Sequence, residues 1–453
     1  MNMSNIEIQH QIKTKMVKGD IPTPPGTGHI GCLTKDQKAI LKDVWAVIFY
    51  IADSGEAIVP ADMMNKVQKE ATSSGAKSAT VQAAANAGWF SGNKAAKAQD
   101  EAKAAGFGAG MAKISLADLG LSVDKLRPIL WDNVMGDHPD ALVLRFVRAR
   151  KWNIVNALNM MFKAFKWRLD EDVPAIKYST DELLDSQNPK LIKQLETGKF
   201  FLHGTDVENR PVAYLTVRLH RPGDQPPKTL ERLTVYVMEA GRVLIQHPVE
   251  TVCLVFDLTG FSLANMDFAM VRYLVNIFEA YYPESLGRII IHGAPFVFWG
   301  VWKVVQPWLD PVVAAKVRFT RSDQDLLEHI PAKQLPDRYK GGLDHFTYSY
   351  PRAQSEENKC MEDTETKDKL VAEWKALMWK FEALTREWIT AGTPQATSER
   401  SEEEVEQERE QLAKELRVAY FKMDPYIRAR NMFHRTSPPI AQADGSALWV
   451  YNN

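Results

Sequence analysis

The chain has 453 residues and 51.2 kDa, about three times a typical domain, so one to three domains are expected. Lys and Arg total 56 against 57 Asp and Glu, and a net charge of −1 argues against bulk electrostatic binding of nucleic acid. Cys32, Cys253 and Cys360 are too few and scattered for a disulfide framework or zinc knuckle, and no apolar run reaches the roughly 18 residues of a spanning helix.

Residues 1–31 read as a flexible leader, with Pro22, Pro24, Pro25, Gly26, Gly28 and Gly31 close together and no apolar signal-peptide core. Thr34 and Gln37 form a capping box for a helix over 35–52, with Ile40, Leu41, Val44, Val47, Ile48 and Ile51 at helical spacing. Residues from about 54 to 115 differ in kind. Ala83–Ala112 holds 12 alanines and 5 glycines in 30 residues, too little buriable area to offset its ordering entropy, and reads as a mobile low-complexity insertion. From Leu116 the helical signal returns. Leu142, Val143, Phe146 and Val147 form one apolar face, while Arg145, Arg148, Arg150 and Lys151 read as a solvated helix end. Asn153 is a good N-cap for the next helix, and residues 32–185 make a helical N-terminal lobe.

Residues 186–350 form an α/β domain. Phe200–His203, Pro211–Leu219, Thr251–Leu258, Ile289–His292 and Val317–Thr320 read as strands, alternating with helices over Leu230–Ile245 and Phe268–Ala280. This order predicts a mostly parallel sheet flanked by helices, with the Thr251 strand covered on both faces. Residues 351–453 read as an acidic helical extension. Val371, Trp374, Met378, Phe381, Thr385 and Trp388 form a stripe that packs onto something, and a second helix opens at Glu402 after a break at Ala391–Thr397.

Enzyme motifs fail one by one. Gly260-Phe261-Ser262-Leu263-Ala264 imitates a nucleophile elbow, with Asp257 and His292 as partners, but its last small position is alanine and the acid precedes the serine. Gly106-Phe107-Gly108-Ala109-Gly110 lacks the preceding strand of a dinucleotide loop, and no metal pattern is present. More unusual is the segment from Phe296 to Trp308, which carries Phe296, Phe298, Trp299, Trp302 and Trp308. Its aromatic content suits a core helix, a lid over a ligand cavity, or a membrane-contacting surface.

The string Leu144-Arg145-Phe146-Val147-Arg148-Ala149-Arg150-Lys151-Trp152 resembles the N-terminal helical signature of the CRAL-TRIO lipid-binding family. Asn209-Arg210-Pro211-Val212, Asp257-Leu258-Thr259-Gly260, Tyr281-Tyr282-Pro283-Glu284, Ala294-Pro295-Phe296, Leu309-Asp310-Pro311, Leu335-Pro336 and Gly341-Gly342 follow in that family's order. The helix opened by Gly31-Cys32-Leu33-Thr34 and its insertion resemble the fungal phosphatidylinositol transfer branch. The resemblance implies a helical lobe against an α/β lobe whose sheet floors an apolar lipid cavity. It implies a phosphatidylinositol headgroup held by Arg150, Lys151, Glu284 and Lys316: phosphate wants cations, and a carboxylate accepts from inositol hydroxyls.

Val313 stands where the family has a hydroxyl before that lysine. Ser262 with Ala264 at the Asp-Leu turn, and Phe200-Phe201, fit phosphatidylcholine poorly, so a second ligand would be squalene or a sterol-like molecule. The segment 296–308 becomes a gate hinged at Gly293, Pro295 and Gly300. The expected function is non-enzymatic. The protein extracts phosphatidylinositol and exchanges it between membranes or presents it to lipid kinases, with no cofactor or metal. The alternative is a carrier or sensor of another apolar ligand that recruits a protein through the C-terminal helices. Either way the expectation is a cytoplasmic monomer that associates transiently with intracellular membrane surfaces.

Overall fold

The computed structural model describes residues 26–60, 111–245, 249–354, 356–436, 440–441 and 447–448. Most of the leader and the alanine-rich centre of the insertion lie outside them. Helix α1 (Lys35–Ser54) starts at the expected capping box: the Gln37 N–H donates to Thr34 Oγ1 and the Thr34 N–H to Gln37 Oε1. The two ends of the insertion are strands, where the sequence suggested a mobile segment. Strands β1 (Glu56–Pro60) and β2 (Met111–Ser115) pair antiparallel from Glu56↔Ser115 to Pro60↔Met111, closing the segment at its neck.

Helices α2 (Val123–Val134), α3 (Pro139–Ala149) and α4 (Ile154–Asp170) complete the helical lobe with α1, and Asn153 caps α4 as its sequence predicts. The solvated-helix-end reading of Arg145 and Arg148 is overturned: both are largely buried. The Arg145 guanidinium donates to the Glu250 and Glu284 carbonyls at 2.7 and 3.2 Å. Arg148 donates to Glu250 Oε2 at 2.9 Å and to the Gly28 carbonyl. Buried charge is tolerated when it is paired, and Glu250 lies about a hundred residues away, out of reach of local sequence reading.

The second lobe is built on a five-stranded sheet of order β3–β4–β5–β6–β7. Strand β3 (Phe200–Thr205) runs antiparallel to β4 (Pro211–Thr216). Helix α5 (Pro227–Gly241) leads to β5 (Val252–Asp257), α6 (Phe268–Ala280) to β6 (Leu286–His292), and α7 (Phe298–Val305) to β7 (Val317–Thr320). From β4 onward every pairing is parallel, because each helix returns the chain to the same end of the sheet. Strand β4 ends at Thr216, earlier than the sequence suggests, and Val217–Leu219 turns as a short 3₁₀ segment.

Strand alternation sorts the sheet into two faces. Val212, Tyr214, Cys253, Val255 and Ile290 pack against Leu326, Ile330, Leu335 and Tyr339 on one side. The register aligns Leu202, Ala213, Leu254, Ile289 and Val317 in one row across the other face, with Phe200, Leu215, Phe256 and Ile291 in the next.

The C-terminal segment supplies α8 (Thr364–Thr390) and α9 (Glu402–Ile427). Their stripe packs into the helical lobe: Trp374, Met378, Phe381, Leu412 and Leu416 share one core with Ile40, Trp45, Ile48 and Leu130. Buried Asp140 accepts from Trp45 Nε1 at 2.8 Å and Arg409 at 2.9 Å, tying α1, α3 and α9. A second lock joins the lobes. Arg168 on α4 makes a bidentate pair with Glu239 on α5 at 2.8 and 2.9 Å, and the Tyr282 hydroxyl donates to the same carboxylate. Arg428, just past α9, donates to the Glu239 carbonyl.

Candidate functional site: a hollow between sheet and helices

The cavity-side rows of the sheet do not meet a solid layer. They floor a cavity of about 370 Å³ whose roof is Leu230, Leu233 and Val237 of α5, Met270, Val271, Leu274, Val275 and Phe278 of α6, and Phe298, Val301, Trp302 and Val305 of α7. Helix α6 records the hollow in its own burial. It is among the most apolar helices of the chain, yet only Ile277 is fully buried, since Met270, Val271, Leu274, Val275 and Phe278 face the cavity. Apolar area left this way keeps about 25 cal/mol per Å² unrealised, which an apolar ligand recovers.

The aromatic segment forms one wall of the hollow. Phe298, Val301 and Val305 are buried on its inner side with Trp302, and Phe298 meets Phe261 edge-on at 5.8 Å between ring centroids. On the outer side Trp299 is partly exposed and Phe296 is 93% exposed. Phe296 precedes the helix, and Trp308 lies in a 3₁₀ turn after it, so the regular part is shorter than 296–308. Val297, Val304, Val312 and Phe319 add exposed apolar surface nearby in sequence or packing.

The four headgroup candidates do not line the hollow. Glu284 sits between Pro283 and Ser285, and Lys316 beside Val317, all three of which line it. The Lys316 ammonium donates to the Leu286 carbonyl at 2.7 Å, not to Glu284. Arg150 and Lys151 are exposed at the end of α3, and Arg150 lies close enough to Glu279, a lining residue, to favour its ionised form. Burial lifts the Glu279 carboxyl above its ordinary value against the Asp310 N–H and this arginine. Glu284 and Lys316 thus each adjoin lining residues in the chain, and Arg150 lies near a third, Glu279. Lys151 (φ 51°) and Glu284 (φ 55°) also hold left-handed backbone, uncommon outside glycine and held only where surroundings impose it.

Ser262 and Ala264 are a correction. Both are exposed and outside the cavity lining, and the Ser262 hydroxyl is engaged with Asn265 Oδ1 at 3.1 Å. Leu258, Phe261, Asn265 and Met266 present the inner side of that turn. Asp257, Ser262 and His292 do not form a triad. Asp257 accepts from the Tyr339 hydroxyl, while His292 pairs with Thr320 and Asp323.

Sequence reasoning missed a polar pole in the lining, formed by Lys199, His220 and Asp267. Burial pulls the Lys199 ammonium down to about 8, against Asp224 and Asp267, and holds His220 below its ordinary value. The signal available was a lone lysine directly before an apolar strand.

Among the described residues no helix is long and apolar enough to cross a membrane, and no cluster of metal-ligating side chains occurs. Residues 195–341 match the CRAL/TRIO domain and residues 96–163 the CRAL/TRIO N-terminal domain. The chain is 42% identical to a CRAL-TRIO domain-containing protein of Schizosaccharomyces pombe over 68% of each chain. It is 34% identical to phosphatidylinositol transfer protein CSR1 of Eremothecium gossypii over 90% of this chain and 97% of that one. With phosphatidylinositol transfer protein PDR17 of Saccharomyces cerevisiae the identity is 29%, over 46% and 58%.

Proposed function

The chain belongs to the CRAL-TRIO lipid transfer family, and from that premise we propose that it extracts phosphatidylinositol from one membrane and delivers it to another or to a lipid kinase. The observation that carries the reading is the apolar hollow beneath α5, α6 and α7. Two acyl chains hold roughly 30 methylenes at about 0.8 kcal/mol each, so carrying them through water uncovered would cost on the order of 20–25 kcal/mol. A cavity of matching apolarity removes that penalty and needs no covalent step.

In this reading the acyl chains occupy the hollow and the inositol phosphate docks at the rim. Arg150 and Lys151 meet the phosphate, Glu284 accepts from inositol hydroxyls, and Lys316 turns from the Leu286 carbonyl to the headgroup. The names of CSR1 and PDR17 support the choice of lipid. The membrane contact is the exposed apolar side of the Phe296–Trp308 segment, which would place the protein transiently at a bilayer surface.

Mass spectrometry of lipid extracted from freshly purified protein tests this directly, with stoichiometric phosphatidylinositol as the expected result. Lys151→Ala and Lys316→Ala are each expected to slow its exchange between vesicles about ten-fold, the worth of one charge-assisted hydrogen bond. Full exchange by both variants would remove these residues from the headgroup site.

The polarity of the lining favours a second reading. Its walls are almost wholly aliphatic and aromatic, which suits a ligand with little polar area, such as squalene or a sterol-like molecule. Finding that class in the extract in place of phospholipid would favour it.

A further inference from the structure

Lys199 is 7% exposed, yet it lines an apolar cavity with no carboxylate within ion-pair distance among the described residues. Its surroundings account for two of its three N–H groups. One donates to Gln194 Oε1, and His220 Nδ1 lies at 3.5 Å. His220 is itself turned by Asp267, whose Oδ2 lies 3.3 Å from Nε2; an Nε2–H donated there leaves Nδ1 free to accept from the lysine. Asp267 is held in place, because its Oδ1 caps α6 by accepting the Met270 N–H at 2.9 Å. Asp224 acts on Lys199 only through space. An ammonium in an apolar wall, with one N–H unmet among the described residues, costs free energy, and an anion on the cavity side offsets that cost.

We propose that the Lys199–His220–Asp267 pole is a second ligand subsite, which receives the anionic head of a single apolar-tailed ligand, a fatty carboxylate or a phosphate monoester, inside the cavity. The inference rests on the carrier reading and deepens it. The pole belongs to the residue before β3, the turn after β4 and the start of α6, whereas the headgroup candidates belong to the end of α3, the turn after α6 and the approach to β7. A ligand anchored at the pole lies with its tail along the two sheet rows and needs none of the headgroup candidates. Gln194 fixes the lysine from outside the cavity, and neutral His220 orients it, so the pole is a preorganised cation donor.

The test compares binding of oleate, dioleoyl phosphatidate and oleyl alcohol to the delipidated full chain and to Lys199→Met. Oleate or phosphatidate is expected to bind at least ten-fold more tightly than the alcohol, and the variant is expected to lose that preference while still binding the alcohol, which shows that it is folded. The groups facing Lys199 are His220, Asp267, Asp224 and Gln194, and burial brings the lysine itself down to about 8. Oleate affinity of the unsubstituted chain should therefore fall up to ten-fold per pH unit above that value, and alcohol affinity should not. This pH series decides the matter even if the variant does not fold. Whichever anion is preferred identifies the head. Equal binding of oleate, phosphatidate and alcohol, or a preference that survives in Lys199→Met, would overturn the subsite. Phosphatidylinositol exchange by the same unsubstituted preparation tests the carrier reading separately: exchange without anion preference leaves the carrier and sinks the subsite.

Discussion

Replacing Arg168 with leucine is expected to lower the free energy of unfolding by about 3–5 kcal/mol, because it strands a buried carboxylate between the two lobes. Glu239 is fully buried, and its contacts are spent on this one junction: Arg168 from α4 in a two-pronged pair, Arg242 from its own turn, and the Tyr282 hydroxyl. Burial alone would raise the Glu239 carboxyl, yet Arg168 and Arg242 hold it well below the ordinary 4.5. A depressed carboxyl adds stability that is present above its unfolded value and is lost as pH falls through the folded one.

Removing Arg168 weakens that depression: desolvation still raises the carboxyl while Arg242 and Lys177 still lower it, so its folded value rises and the stability it adds between acid and neutral pH shrinks. Urea unfolding at both pH values measures this. A loss under about 1 kcal/mol at neutral pH would mean that Arg242 and solvent replace the pair. The double change Arg168→Leu with Glu239→Leu should recover part of the loss, since it removes the stranded carboxylate, while the Tyr282 hydroxyl loses its acceptor and Arg242 keeps Asn133.

Elements with a strong local period were legible in the sequence. The capping box of α1, the Asn153 cap, the Phe268–Ala280 helix and the alternating strands all follow from spacing alone. What escaped is what distant residues decide. Arg145 and Arg148 look like any basic helix end until Glu250 arrives to pair with them. The stripe of α8 announces a partner without saying that the partner is the chain's own first helices. The site divides similarly. The family strings locate the headgroup candidates, but nothing local says that Ser262 turns outward or that Lys199 is buried at a cavity wall. A lone lysine before a strand is ordinarily a surface residue.

The wall of α7 gives a sharper expectation, because its two faces separate folding from function. Phe296→Asp alters a side chain that is 93% exposed and touches little in the closed protein, so the unfolding midpoint should move by less than about 0.5 kcal/mol. At a bilayer the same change withdraws a buried phenyl ring and offers a charge, worth about 3 kcal/mol, so lipid exchange between vesicles should slow about a hundred-fold. Phe298→Asp acts on the other face. It places a carboxylate on the inner wall against Phe261 and Trp302, and should cost both stability and lipid content. Gly293, at φ 61°, sits close to Thr259, where any Cβ would fall 2.6 Å from that hydroxyl, so the position three residues before Phe296 is one that only glycine fills comfortably. Exchange that survives Phe296→Asp at full rate, with lipid still loaded, would mean that the bilayer is met elsewhere and that α7 is only a wall.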